Sequence, residues 1–319
     1  MVEIGYKLTS EQQPALNLVK YAKQAEDAGF DYVMISDHYH PWIENQGQSP
    51  YVWSTIGGIS QVTDKIKLGT GVTCPTVRQH PAIVAQAAAT VASMMPGRFM
   101  LGLGSGENLN EHIYGDSWPA APIRIEMLEE AVDIIRKLWQ GGMQDYEGYY
   151  YHIENARIYS LPEELPPIYM AAAGPLAAET AGVSGDGLIA SGPKKELSDV
   201  FKASGGEGKP CYTEVMVCWA ESDDEAVKTV YKYWPIVAIK GELSWIIPTP
   251  THFEHLVKMI KEEDMAKNAV CSSDPEEHIK KIKRSVDAGF DHICLQQVGL
   301  KQTEFIEFCE KEILPEFKD

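Results

Sequence analysis

The sequence predicts an α/β fold, a (β/α)8 TIM barrel carrying insertion segments, and three observations lead there. One is a repeated device: Asp27-Ala28-Gly29-Phe30-Asp31 runs into the strand-like Tyr32-Val33-Met34-Ile35, and Asp287-Ala288-Gly289-Phe290-Asp291 runs into Ile293-Cys294-Leu295. In each copy a helix with apolar positions at i, i+3 and i+4 meets a glycine able to turn left-handed, and a nearly all-apolar strand follows. The second is alternation: about eight short apolar strands are separated by helical or loop stretches, as in a parallel sheet with enough units to close. The third is continuity. No low-complexity linker divides the chain, so residues 1–319 read as a single domain.

The strands are expected, in order, at Ile4 to Tyr6, Tyr32 to Ile35, Ile66 to Val72, Arg98 to Gly102, Ile168 to Ala172, Gly187 to Ser191, Thr213 to Trp219 and His292 to Gln296. Each is short, apolar and bounded by turn formers. Helices are expected near Gln13 to Ala28, Pro81 to Met94, Ile123 to Trp139, Pro175 to Ala181, Asp223 to Tyr233 and Pro275 to Ala288. An open doubly wound sheet is the competing arrangement, and the number of strand–helix units favours the closed barrel. The stretches His38 to Ser54, Asn108 to Pro122 and Lys232 to His255 exceed simple connections and are expected to build loops facing a substrate.

Lys and Arg number 28 against 46 Asp and Glu, a formal net charge of -18. A surplus of that sign, spread along the chain, argues against nucleic acid or an anionic membrane as a partner. No basic stretch leads into an apolar run at the N-terminus and no apolar run is long enough to span a bilayer, so a cytoplasmic protein is expected. The six cysteines form no C-x-x-C pair and read as reduced, buried thiols.

In such a barrel the chemistry gathers just past the strand ends. Those positions hold Lys7; Asp37, His38 and Trp42; Gly71 and Val72; Ser105, Gly106, Glu107 and Asn110; Ala172 and Gly174; Ser191 and Gly192; and Gln296. Ser36-Asp37-His38-Tyr39-His40-Pro41-Trp42 sets a carboxylate, an imidazole and a large ring in one turn. An imidazole there can accept a hydroxyl proton while hydride leaves the same carbon. Equally, Asp37 can cap a turn and His38 pack beneath a loop. In Leu101-Gly102-Leu103-Gly104-Ser105-Gly106-Glu107-Asn108, alternating glycines let backbone approach a flat ring or an anion. The spacing is not that of a dinucleotide-binding fingerprint, and tight packing is the plainer explanation. His38 and His40 form an H-x-H pair that suits zinc, but the later strand ends read Ala-Ala-Ala-Gly, Ala-Ser-Gly and Leu-Gln-Gln, so no metal is expected.

These residues resemble the luciferase-like superfamily of flavin and deazaflavin oxidoreductases. Within it they look most like the branch of coenzyme F420-dependent glucose-6-phosphate dehydrogenases and secondary alcohol dehydrogenases. The similarity runs from Ile4-Gly5-Tyr6 to Ala288-Gly289-Phe290 and is most specific at Ser36-Asp37-His38 through Pro41-Trp42, Gly69 to Thr76, His80-Pro81, Ala85-Gln86 and Gly104-Ser105-Gly106-Glu107 with Asn110-Glu111. It implies that His38 takes the substrate's hydroxyl proton, that Glu107 protonates the deazaflavin ring nitrogen, and that Trp42 steadies the charged intermediate. It implies coenzyme contacts from Asp37, Gly71, Val72, Ser105, Gly106, Asn110, Ala172, Ala173 and Gly174, and a non-proline cis peptide at Gly71–Val72. Of the cations that hold a sugar phosphate in one branch, Lys194, following Ser191-Gly192, is retained, while Asn268 stands at an arginine's place and His255 at a lysine's. Ser191 and Lys194 are therefore the expected substrate-side residues. The expected substrate is a small hydroxyl or carbonyl compound, a secondary alcohol or a sugar phosphate, and the expected assembly a homodimer. The alternatives are an FMN-dependent monooxygenase of the same superfamily and a deazaflavin-binding protein without catalysis.

Overall fold

The computed structural model describes residues 2–318. Eight parallel strands close on themselves: β1 (Glu3–Leu8), β2 (Tyr32–Ile35), β3 (Lys67–Thr70), β4 (Phe99–Leu103), β5 (Ile168–Ala172), β6 (Gly187–Ala190), β7 (Cys211–Cys218) and β8 (His292–Gln297). β7 pairs with β8 on one side and with β6 on the other, while β8 continues to β1, which leaves no free edge in the ring. The fold is the expected (β/α)8 barrel. Around it lie α1 (Ala15–Ala28), α2 (Val52–Ser60), α3 (Pro81–Met94), α4 (Ala121–Leu138), α5 (Pro175–Ser184), α6 (Lys195–Phe201), α7 (Pro275–Asp287) and α8 (Gln302–Phe308).

The sequence repeat has a structural purpose beyond stopping a helix. Gly29 ends α1 at φ 87°, and its N–H donates to the carbonyl oxygens of Ala25 and Glu26 at 3.1 and 3.0 Å. Only glycine adopts this conformation without strain. The aspartate two residues later then holds the neighbouring strand: Asp31 accepts from the Ile4 amide at 2.7 Å, and Asp291 from the Cys211 amide at 2.8 Å. Asp186, before β6, accepts in the same way from the Ile168 amide at 2.8 Å. Three aspartates thus fix strand entry by satisfying an amide that the parallel ladder leaves over.

Several elements depart from expectation. β3 stops at Thr70 rather than Val72, because Gly71 and Val72 leave the ladder. Gln144–Glu147 and His152–Ala156 form an antiparallel hairpin outside the barrel that short, mostly polar segments did not announce. α2 reads VWSTIGGIS, poor in helix formers and rich in glycine and branched residues, yet Val52, Ile56 and Ile59 are buried in the main core. Tertiary burial outweighs local preference there.

The barrel interior is layered. Near the N-terminal end, the rings of Tyr32, Tyr169, Tyr212 and His292 pack edge-on or tilted against one another, with centroids 5.2 Å apart for Tyr32–Tyr212, 5.0 Å for Tyr169–Tyr212 and 4.1 Å for Tyr212–His292. At the other end a second apolar cluster joins Trp42, Ile43 and Leu109 to Trp234, Phe253, Met265 and Val298. The insertion after β7 is thereby seated against the loops that follow β2 and β4. Among the described residues no helix is long and apolar enough to cross a membrane.

Candidate active site

The loops after β1, β2, β3 and β4 converge at the C-terminal mouth. Their frame is a buried ion cluster. Asp37 accepts from the guanidinium of Arg78 at 2.9 Å, from the Thr73 hydroxyl at 2.7 Å and from the Gln79 amide at 2.8 Å. Arg78 also donates to Glu111, its backbone N–H at 2.6 Å and its Nε at 3.4 Å. Buried charges are tolerable only when paired and hydrogen-bonded, and this cluster meets both conditions while tying three loops together. Asp37 therefore spends its carboxylate inside the wall, and only its backbone remains for a ligand.

His38 stands next to that anchor. Its Nδ1 lies 3.1 Å from the His40 carbonyl oxygen, which can only accept, so Nδ1 carries a hydrogen and Nε2 is the nitrogen left to take up or release a proton. Two carboxylates face Nε2 at the same distance: Glu107 Oε2 and Glu11 Oε1, each at 3.5 Å. Glu11 is held by the Ser36 hydroxyl at 2.6 Å. The indole of Trp42 packs against the imidazole at 5.3 Å between centroids and is itself braced edge-on by Phe253 at 5.2 Å.

Glu107 is one-fifth exposed on its side chain. Burial raises its pKa from 4.5 to about 7; the charges of Glu11 and Glu111 push the same way, while His38 and Lys7 oppose them. Asn110 fixes its orientation. The Asn110 Oδ1 accepts from the Tyr39 and His40 amides at 2.8 and 3.2 Å, so its Nδ2 must point away from them, and it donates to Glu107 Oε2 at 3.2 Å. Because Oε2 receives that hydrogen bond, the proton of neutral Glu107 belongs on Oε1. The preceding Gly106 has φ 85°, and a Cβ there would lie 2.5 Å from Cys74 Sγ, so no other residue fits the turn.

The floor comes from β1, β3 and β7. The buried Lys7 donates to the Gly71 carbonyl oxygen at 2.8 Å and to Glu214 at 2.6 Å. Burial works against its charge, but Glu214 outweighs that and holds the pKa above the ordinary lysine value. The Gly71–Val72 bond is cis, as the resemblance implied. Across the mouth, Ala172 ends β5 and accepts from the Ser191 amide at 3.1 Å. Ala173 is exposed, and a Cβ at Gly174 would meet nothing within 4 Å, so this side stays open. Ser105, Gly106 and Val72 are half-buried, and Ser191 and Lys194 are exposed beyond β6.

Glu11, Arg78 and Lys240 were not among the residues expected from sequence, and Glu111 was expected only as part of a motif, with no role of its own. Glu11 sits past a strand expected to stop at Tyr6, although the polar run Thr9-Ser10-Glu11-Gln12-Gln13 at a strand end was a usable signal. Lys240, from the insertion, donates to Asn268 Oδ1 at 2.8 Å, which puts a cation where Asn268 itself carries none.

Together these features define an eight-stranded barrel that sets an imidazole beside a carboxyl group of raised pKa at its C-terminal mouth. The chain belongs to the luciferase-like monooxygenase family, whose profile matches residues 1–292. It is 36% identical over 329 residues to an F420-dependent glucose-6-phosphate dehydrogenase of Microbacterium testaceum, covering 99% of this chain and 98% of that protein. A counterpart from Intrasporangium calvum is 35% identical with the same coverage. Among solved structures, an F420-dependent secondary alcohol dehydrogenase in complex with an F420–acetone adduct superposes at a TM-score of 0.92, with 29% identity over 100% of this chain and 99% of that one.

Proposed function

We propose that this protein is a coenzyme F420-dependent oxidoreductase that moves a hydride between a CH–OH substrate and the deazaflavin. The observation that carries the reading is the near-contact of His38 Nε2 with Glu107 Oε2 at 3.5 Å, an imidazole nitrogen beside a carboxyl group poised near pH 7. The similarity to F420-dependent dehydrogenases over nearly the whole chain supports it.

A flat ring would lie against the loops at the mouth. Gly71, Val72, Ser105 and Gly106 offer backbone on one side, and Ala173 and Gly174 leave the other free of bulk. When bound, the deazaflavin supplies a carbon centre that accepts or returns hydride. His38 Nε2 accepts the hydroxyl proton as the C–H bond breaks, and Trp42 stabilises the resulting imidazolium through its π face. Glu107 holds the second proton on Oε1, with Asn110 keeping Oε2 as acceptor. Ser191 and Lys194 border the substrate side.

For the substrate, the relatives divide between glucose 6-phosphate and a secondary alcohol. Asn268 offers no charge to a phosphate, which favours a secondary alcohol, whereas Lys194 and Lys240 keep a sugar phosphate in view. Fluorescence titration with coenzyme F420, followed by turnover of 2-propanol and glucose 6-phosphate, tests the assignment. Absence of F420 quenching at micromolar protein would sink it, and a yellow copurifying flavin would point to an FMN-dependent monooxygenase instead. Binding without turnover across an alcohol, aldehyde and sugar-phosphate panel would leave a non-catalytic carrier.

The assembly we infer is a homodimer formed through α2 and α3. Their outward positions Ser54, Gly57, Ile83, Ala87, Thr90 and Met94 carry no charge in a chain that is 23% charged, and Ile83 is 55% exposed. Light scattering of Ile83→Lys should show monomers. All six cysteines are free, consistent with a reducing, cytoplasmic setting.

A further inference from the structure

Three lysine or arginine side chains are buried among the described residues: Lys7, Arg78 and Arg124. The first two have carboxylate partners, Glu214 for Lys7 and Asp37 with Glu111 for Arg78. Arg124 is only 7% exposed and forms no ion pair among the described residues. One of its terminal nitrogens donates to the Pro119 carbonyl oxygen at 2.6 Å, and the guanidinium carbon lies 4.3 Å from the Trp118 ring centroid. Its Nε is buried without an acceptor, and so is the indole N–H of Trp118. An uncompensated buried charge is among the costliest features a protein can retain, and a neighbouring indole face offsets only part of it.

The backbone makes the position worse for a cation. Arg124 sits in the opening turns of α4, an 18-residue helix, where free backbone N–H groups and the helix dipole present positive potential. A guanidinium and an indole N–H held together near the start of this helix therefore lack a negative partner among the described residues. Burial pushes the Arg124 pKa down, and the more distant Cys74 thiol and Glu242 oppose it without overcoming it. Trp118 also reaches toward the mouth, since a Cβ on Gly106 would lie 3.2 Å from its ring. The cluster thus shares a wall with the loop that carries Glu107.

We propose that Arg124, the Trp118 indole N–H and the N-terminus of α4 form an anion subsite that takes a phosphate or carboxylate group beside the Gly106–Glu107 loop. Such a group supplies the missing counter-charge and accepts from the idle donors. The subsite stands independently of the coenzyme assignment; only its occupant depends on it. The anion arrives either free or as part of a substrate, or as the acidic side chain of coenzyme F420.

The test is isothermal titration of the full chain with sodium phosphate against sodium chloride at matched ionic strength, for wild type, Arg124→Met and Trp118→Phe. Phosphate should bind wild type, at least tenfold more weakly in Arg124→Met, and several-fold more weakly in Trp118→Phe, which keeps a ring but loses the N–H. Should Arg124→Met fail to fold, Arg124→Lys takes its place, and a several-fold loss is then expected because the planar fork is gone. A second titration compares coenzyme F420 with its chromophore stripped of the acidic side chain. If Arg124→Met abolishes wild type's preference for the complete coenzyme, the side chain is the occupant; if the preference survives while phosphate binding falls, the occupant is another anion. Phosphate binding that is absent from wild type, or equal in wild type and the variants, overturns the subsite. Should coenzyme F420 not bind at all, the coenzyme assignment fails and the phosphate titration still decides the subsite.

Discussion

The two ends of the barrel each set one histidine between two carboxylates, with opposite results. At the N-terminal end His292 lies 2.5 Å from Asp291 and 3.4 Å from Glu3, and Lys67 donates to both oxygens of Glu3 at 2.9 Å. The hydrogen bond from His292 leads the forces that pull Glu3 down to about 2, Asp291 falls below its ordinary value, and His292 rises above 6.5 because its two partners outweigh burial. At the mouth His38 faces Glu11 and Glu107 at 3.5 Å, beyond a good hydrogen bond, and among the described residues no lysine or arginine pairs with Glu107. Desolvation then wins, and Glu107 rises to about 7. Contact geometry decides the sign: close pairing consolidates charge for stability, while near-contact without pairing leaves a proton to be exchanged.

The largest expected effect lies at the mouth. His38→Ala should cut kcat by about 10²–10⁴, the usual worth of a general base, while F420 affinity changes by less than about threefold. Parallel loss of binding would make His38 structural and erase the contrast. Glu107→Gln follows, with about 10²-fold lower turnover and loss of the pH dependence centred near 7. Its stability should move the other way. A carboxyl group raised from 4.5 to about 7 weakens the fold as pH climbs through that window, so the glutamine variant should be more stable than wild type at pH 8 by about 1–3 kcal/mol and show no gain at pH 4. Equal melting profiles at both pH values would show that Glu107 is not strained.

Asn110→Ala should act more modestly, lowering turnover about tenfold. It removes the donor to the charged form, so the Glu107 midpoint should move upward. An unchanged pH profile would reduce Asn110 to a loop brace.

The smallest effect on activity belongs to the opposite end. His292→Gln should leave turnover per folded molecule unchanged and cost about 1–3 kcal/mol between pH 4.5 and 6.5. In that window Glu3 is charged and His292 protonated; the Glu3 share disappears as pH falls toward 2, and the His292 share as pH rises above 6.5. A stability loss that does not vary with pH would mean that ring packing against Tyr212, not charge, is what His292 contributes.

How much of this was legible depended on distance along the chain. Asp27 to Asp31 and Asp287 to Asp291 announced helix, turn and strand because a glycine conformation and an apolar run are local properties. The hairpin at Gln144–Glu147 and α2 were invisible for the complementary reason, since burial against distant elements stabilises them. At the site, His38 and Glu107 stood out from the motifs around them, whereas Glu11 was marked only by a polar run at a strand end.

Local pattern, then, was enough to establish a barrel of parallel strands, the loops that line its mouth, and the imidazole and carboxyl group to which we assign proton transfer. Folding in three dimensions settled the rest: that Asp37 turns inward to Arg78, that Glu11 and Glu107 share one imidazole nitrogen, and that Arg124 is left without a counter-charge. Strand and helix signals arise from neighbours a few residues apart, but protonation and pairing respond to ångström distances and to the exclusion of water. Both are set only when segments far apart in the chain close on one another.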